Sequence, residues 1–310
     1  MLHLLARLLL SVARAAPDVV IVVSDDVEAY TGPVDGFRSV VGARCASQVV
    51  NLDGNRALAE QKFARLAADP PRLVYAVGAK AAYMAKQRMG DTPIVHAMVF
   101  DPARYGVVGN NVTGVSMYVP AQDAVDMLRQ YLPGTEVVGV ILKTAEKDKP
   151  GESRYPQQVA DVARAAGMSV PIQRVTNTRD VGPVWKRLAK GEVAGGKPAD
   201  VLWVLPDPVL ADPDTFFDLL DSSRRARIPM VVGKEVLVRA GAFMSIEAKG
   251  ETVGAQAAQL ALRILDEGVR PGDLEVPEPA SLRVVINRTT MRKMGIQVDP
   301  ELLAVTDVVE

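Results

Sequence analysis

Cysteine and histidine are nearly missing from this chain of 310 residues: Cys45 is the single thiol, and His3 and His96 are the only imidazoles. One cysteine excludes an internal disulfide, and it says little about compartment. Two histidines argue against a His-based zinc site or a Ser-His-Asp triad. An excess of charge of either sign is missing too. Lys and Arg number 36 against 37 Asp and Glu, a net charge of −1, so no basic field exists to hold nucleic acid or an anionic membrane. After the first residues no apolar run approaches the length of a membrane-spanning helix, about 20 residues. The short signatures of nucleotide and hydrolase chemistry are absent as well: there is no G-x-x-x-x-G-K-[ST] loop, no G-x-G-x-x-G after the first strand and no G-x-S-x-G elbow. No cofactor is implied.

What is present is ordinary globular composition, 48% apolar and 24% charged, in a chain long enough for two cores. The N-terminus, MLHLLARLLLSVARAAPDVV, has a short apolar stretch from Leu4 to Val12, then Ala13-Arg14-Ala15. Residues 1–16 therefore read as a signal peptide. A sparse basic n-region and Arg7 within the apolar stretch leave an amphipathic first helix as the alternative.

From Asp18 onward short β-branched runs alternate with helical patterns, the signature of βα units and parallel sheets. The runs VVIVVS (19–24), SQVVNL (47–52), LVYAVG (73–78), PIVHAMV (93–99) and VTGVSMYV (112–119) give five strands of one lobe. Between the first two, Tyr30, Val34, Phe37 and Val41 form one apolar helical stripe. After Pro120 the series restarts with VVGVILK (137–143), SVPIQRV (169–175), DVLWVLP (200–206), IPMVVG (228–233) and AFMSIEA (242–248). A long helix over 250–267, a proline-punctuated extended segment and two short helices finish the chain. The fold class is α/β, two similar lobes with parallel sheets and a cleft between them.

In open parallel sheets ligands bind beyond the carboxyl ends of the strands. That rule selects Ser24 and Asp25 after the first strand, Gly78, Ala79 and Lys80 after the third, and Phe100 and Asp101 after the fourth. In the second series it selects Lys143, Thr144 and Asp207. Little side-chain bulk at Gly78-Ala79 lets a carboxylate or phosphate approach backbone N–H groups. Ser and Asp at such turns also serve as helix caps, and Asp-Pro is a common turn starter; both readings stand for each residue. Lys80, Lys143 and Lys234 are the counter-charges for the aspartates. His96 reads as a core histidine, Cys45 as a buried thiol, and Asp212 or Asp214 as a helix cap.

The succession PIVHAMVFDPARYGVVGNNVTGVS, YLPGTEVVGVIL, RIPMVVGKEVLVRAGAFMSIEAKGETVGAQ and VINRTTMRKMGI, over nearly all of the chain after the first twenty residues, resembles the ABC-transporter substrate-binding family that includes tryptophan- and tyrosine-binding members. The resemblance implies a type I periplasmic-binding-protein fold, α/β with two Rossmann-like lobes of parallel sheets and three hinge crossings, near Ser116–Pro120, Val231–Gly233 and Glu278–Leu282. It divides the chain into an N-terminal lobe, 17–117 plus 234–278, and a C-terminal lobe, 118–233 plus 279–310. Asp101-Pro102 and Asp207-Pro208 are then equivalent strand ends on two walls of one cleft, and Ser116 joins the candidate ligand contacts. The turn Gly78-Ala79-Lys80-Ala81-Ala82 lacks the hydroxyls that amino-acid-binding relatives carry there, and Lys143-Thr144-Ala145-Glu146 replaces their Asn-Pro cluster. The implied function is a monomeric periplasmic receptor that presents a small ligand, an amino acid or similar polar molecule, to an ABC permease, without catalysis. The alternatives are a sensory or assembly protein that keeps the fold without a transport ligand, and a cytoplasmic α/β enzyme.

Overall fold

The computed structural model describes residues 17–144, 154–193, 195–205, 209–210 and 212–310. The expected signal peptide and Asp207 lie outside the described residues.

The first lobe alternates β1 (Val19–Val23), α1 (Thr31–Val41), β2 (Ser47–Asn51), α2 (Arg56–Ala68), β3 (Leu73–Val77), α3 (Ala79–Arg88), β4 (Ile94–Ala97) and β5 (Val112–Gly114). The five strands form one parallel sheet in the order β2-β1-β3-β4-β5. β1 and β3 are buried along their whole length, as near-continuous apolar runs require when helices cover both faces. Phe37, Tyr75 and Val95 lie in the core on one face of this sheet, and Phe63, Val74 and Ile94 in the core on the other.

The second lobe continues through α4 (Ala121–Tyr131), β6 (Val138–Lys143), α5 (Tyr155–Ala165), β7 (Ile172–Val175), α6 (Val181–Ala189), β8 (Val201–Trp203), α7 (Pro213–Ala226), β9 (Met230–Val232), α8 (Glu235–Arg239) and β10 (Met244–Ala248). Then α9 (Gly250–Glu267) returns to the first lobe, where Val253, Ala257 and Ile264 enter the core beside Phe37. β11 (Leu282–Asn287), α10 (Arg288–Met294), α11 (Pro300–Ala304) and β12 (Asp307–Val309) complete the second lobe. Its strands run β12-β11-β10-β9-β8-β6-β7, with β11 antiparallel to β10.

Read from β7 to β10, the second sheet has the order β7-β6-β8-β9-β10. That is the first sheet's order, one strand for one, with β6 in the place of β1. The repeat revises two expectations. The counterpart of β4, which leads to Asp101, is β9, whereas position 207 follows β8, the counterpart of β3. The two Asp-Pro pairs therefore do not follow equivalent strands. The second crossing also moves. β10 pairs with β9 and β11, so residues 234–248 stay with the second sheet, and the chain changes lobe at Lys249 rather than near Val231–Gly233. The other passages lie between β5 and α4 and between Leu274 and β11, and they touch: the Ser116 amide donates to the Pro277 carbonyl at 2.9 Å. That bond draws the chain out of the sheet after Gly114, which is why β5 is shorter than its apolar pattern.

Side-chain caps start several helices. Asn55 Oδ1 accepts from the Leu58 amide (3.1 Å), and Asp212 Oδ2 accepts from both the amide and the hydroxyl of Thr215 (2.9 and 2.6 Å). The cap at Asp212 is as the sequence suggested.

Candidate functional site

At the carboxyl ends of the sheets the two lobes meet where Lys234 lies over Phe100, and the candidate residues around that contact fall into three groups.

On the first lobe, β1 and β3 end side by side. The Ser24 hydroxyl donates to the Val77 carbonyl (3.0 Å) and accepts from the Ala81 amide (2.9 Å). It is buried, and it ties the two strand ends together as a cap of α3. Gly78 has φ +90°, ψ 160°, a conformation reserved for glycine. A Cβ there would lie 2.6 Å from the Ser24 hydroxyl and 2.6 Å from the phenol oxygen of Tyr30. The space over Gly78 thus belongs to Tyr30, not to an approaching anion as the sequence suggested. The Ala79 and Lys80 amides, in the first turn of α3, have no backbone acceptor among the described residues. The Lys80 amine reaches the Gly54 carbonyl. Asp25 is exposed, accepts from the Asp26 amide and borders Gly54. Burial, and then the charge of Asp25, raise the Tyr30 pKa.

The second group follows the fourth strands. Beyond β4, Met98 (φ 59°) and Asp101 (φ 51°) both adopt left-handed backbone, rare outside glycine. Two such residues within four positions are a local concentration of strain, of the kind that clusters at ligand sites. Asp101 does not cap its turn through its side chain, contrary to the capping alternative. Between them Phe100 carries the inter-lobe contact: Lys234, just beyond β9, places Nζ 5.4 Å from the Phe100 ring centroid. The fourth-strand ends of the two lobes therefore meet. Behind Phe100 lie Tyr118 of the first crossing, edge-on at 5.9 Å, and Tyr155 of α5, stacked on Tyr118 at 4.6 Å. Burial, and then the charges of Tyr118 and Glu278, push the Tyr155 phenol pKa up. Ser116 belongs here too, its hydroxyl accepting from the Tyr118 amide (3.2 Å).

The third group ends β6. Lys143 is half-buried and Thr144 exposed, with the Thr144 amide donating to the Val175 carbonyl at 2.7 Å. Beside the second crossing stands a set that sequence reasoning missed. Arg283 of β11 reaches Glu235 (2.8 Å), Glu247 (3.0 Å) and Asp307 (3.4 Å). It fastens α8, and with it Lys234, to the sheet. Burial raises the Glu247 pKa although Arg283 opposes it.

Tyr30, Tyr118 and Tyr155 were also not selected from sequence. Tyr30 falls on an apolar helical stripe in the sequence. Tyr118 sits in an expected crossing and Tyr155 at the helix start after β6, so extending the strand-end rule to the following turn would have found both.

The chemistry offered is recognition: two backbone donors and a phenol on one wall, Asp25 and Asp101 as carboxylates, a cation on the opposite wall, and aromatic faces between. The Ser24 hydroxyl is already engaged with Val77 and Ala81, and among the described residues no His hydrogen-bonds to it as a base. A groove of about 540 Å³ lined by Lys86, Asp91, Asn111 and Arg270 lies at the other end of the first lobe, away from these walls.

Two lobes of like topology, linked by three crossings and facing each other with recognition groups, define a binding protein of the cleft type. The model of the ABC transporter substrate binding protein family matches residues 27–310, and the chain belongs to that family. It is 24% identical over 239 residues to a tyrosine-binding protein of Clostridioides difficile (strain R20291), a match covering 75% of this chain and 66% of that protein, just under two thirds of its length. Among solved structures it is similar to the ligand-free, open form of a substrate-binding protein with adhesive properties from Clostridium difficile (TM-score 0.73, 19% identity, 95% of this chain and 99% of that one). It is also similar to a domain from Streptococcus pneumonia in complex with L-Trp (TM-score 0.63, 19% identity, 94% and 100%). The fold is that of the type I periplasmic binding proteins. No helix among the described residues is long and apolar enough to cross a membrane.

Proposed function

We propose that the protein is the exported receptor of an ABC transporter. It holds a small ligand between its lobes without chemical change, and it presents the closed form to a permease in the inner membrane. Residues 1–16 serve as its signal peptide, the periplasm is its place of work, and it acts as a monomer without cofactor or nucleic acid. The observation that carries this reading is the meeting of equivalent strand ends across the cleft, Phe100 from one lobe and Lys234 from the other. An aromatic amino acid is the favoured ligand. Phe100, Tyr118 and Tyr155 supply ring faces, and of two similar proteins one is a tyrosine-binding protein and the other is in complex with L-Trp. Closure works as a population shift: ligand favours the closed form only through contacts absent from the open one. Inverting a ratio of 99:1 takes about 5.5 kcal/mol of differential binding, within reach of a few charge-assisted hydrogen bonds and buried rings.

A thermal-shift screen of the mature protein against amino acids, small carboxylates and nucleosides tests this. A ligand at 100 times its dissociation constant adds about 2.7 kcal/mol, and L-tyrosine or L-tryptophan is expected to give the largest rise. The second reading, a sensory or assembly protein without transport ligand, draws on the groups already engaged within the protein: Ser24 on its cap, Lys80 on Gly54, Lys234 on Phe100. A flat screen with intact folding selects it.

A further inference from the structure

Lys234, the side chain that reaches the other lobe, stands next to two carboxylates with which it forms no ion pair. Glu235 follows it in α8, and Glu247 of β10 holds that helix start, its Oε2 accepting from the Glu235 amide at 3.2 Å. Among the described residues the Lys234 ammonium has only the Phe100 ring, at 5.4 Å. A flexible lysine is drawn to a neighbouring carboxylate, the more strongly where that carboxylate is partly withdrawn from water. Glu247 is such a group: its side chain is 15% exposed, and burial pushes its pKa up.

What occupies the carboxylates instead is Arg283. It lies directly opposite Glu247 in the β10–β11 pair. One terminal nitrogen reaches both Glu235 (2.8 Å) and Glu247 (3.0 Å), while the other faces Asp307 (3.4 Å). A planar guanidinium can hold several carboxylates at once, which the single point charge of an ammonium does poorly. The other cations nearby have partners of their own. Arg239 holds Glu235 from within α8 (2.7 Å), and Lys249 lies 3.8 Å from Glu251. Among the described residues Arg283 is thus the one cation paired with Glu247. We propose that Arg283 is a positioning residue of the ligand cleft: by holding Glu235 and Glu247 it directs Lys234 across to Phe100. Without Arg283 the Lys234 side chain turns back to Glu247, and the contact between the lobes is lost. The assignment rests on the solute-binding reading above and extends it by naming what sets the cross-cleft contact.

Spin labels at Arg104→Cys and at the exposed Asp218→Cys of α7, with Cys45 replaced by serine, report the lobe spacing before any ligand is added. Arg283→Met and Lys234→Met should both broaden the unliganded distance distribution and shift it to longer values. The double variant should go no further, because both changes remove the same contact. Adding Glu247→Gln to Arg283→Met removes the charge that recaptures Lys234, and should bring the wild-type distribution back. Arg283→Lys keeps one charge but cannot hold both acids, and should give the Arg283→Met result if that variant does not fold. Calorimetric titration with L-tyrosine should follow the same order, because the contact favours the closed form. Each single variant, and the double, should bind about fivefold more weakly than wild type, the size of one cation–ring contact. Unchanged distances in Arg283→Met, a double variant that exceeds both singles, or no recovery with Glu247→Gln would overturn the assignment whatever the ligand. If the distances change as expected but wild type binds no L-tyrosine, the aromatic-ligand reading falls and the assignment of Arg283 stands.

Discussion

His96 sits in the middle of β4 with 3% of its surface exposed, and its Nδ1 has no hydrogen-bond partner among the described residues. The sequence suggested a core histidine, and the burial is as suggested. Across the strand pair, Gly114 faces it with no room to spare: a Cβ there would lie 2.4 Å from Nδ1. Burial lowers the His96 pKa from 6.5 to about 4. The folded state therefore binds its proton later than the unfolded state does. The stability present above pH 6.5 is lost as pH falls from 6.5 towards 4, by about 3 kcal/mol in all. Urea unfolding at pH 7 and pH 4 should show that loss in wild type, while His96→Leu should be spared this share of it. Parallel pH profiles for the two proteins would mean that the imidazole is not held neutral by the fold.

At the scale of elements, the close packing of α1 on α9 decides how the first lobe is bound to the second crossing. Apolar periodicity located both helices. It did not show that glycines make their contact: a Cβ on Gly36 would lie 1.9 Å from the Glu251 carbonyl oxygen, and one on Gly254 2.1 Å from that of Pro33. Both obstacles are backbone, which cannot rotate aside. Gly36→Ala and Gly254→Ala should each destabilise by about 2 kcal/mol, outweighing the gain in helix propensity of about 1 kcal/mol. Gly182, in the first turn of α6, meets nothing within 4 Å, so Gly182→Ala serves as the control and should be neutral or slightly stabilising. Differential scanning calorimetry of the three variants checks the ordering. Equal melting temperatures would refute the tight-packing account.

For the whole molecule, the three crossings form a joint whose strands are fastened to one another. Ser116 bonds to Pro277, and Gln256 of α9 donates to the Glu278 carbonyl (2.8 Å) and accepts from the Ala280 amide (3.1 Å). Closure about such a joint would be a rigid-body motion of the lobes. Spin labels at Arg104→Cys, on the first-lobe rim, and Val236→Cys, 64% exposed on α8 of the second, report the opening, with Cys45 replaced by serine. Adding L-tyrosine should narrow their distance distribution and shift it to shorter values. Tight binding with no change would rule out lobe closure as the mechanism.

Much of this protein follows from local pattern. Alternating βα units, the five strands of the first lobe, and the turns carrying Gly78, Phe100, Asp101 and Lys234 could be read directly, because a strand's face and a helix's stripe are set by neighbours a few residues away. Which turns share a wall is a different question. It is answered by strand order, and strand order arises from pairing residues far apart in the chain. The two Asp-Pro pairs looked equivalent because both end apolar runs, but one follows a fourth strand and the other a third. The crossing placed near Val231–Gly233 moved to Lys249 for the same reason: β10 finds its hydrogen bonds in the second sheet, beside β9 and β11. Tyr30 shows the limit most clearly. Its spacing puts it on an apolar helical stripe, and only the folded chain brings its phenol over Gly78, 48 residues later in the sequence. Local sequence determined the elements and the chemistry available at their ends. Tertiary packing alone decided which of those ends face one ligand, because that depends on contacts no local pattern encodes.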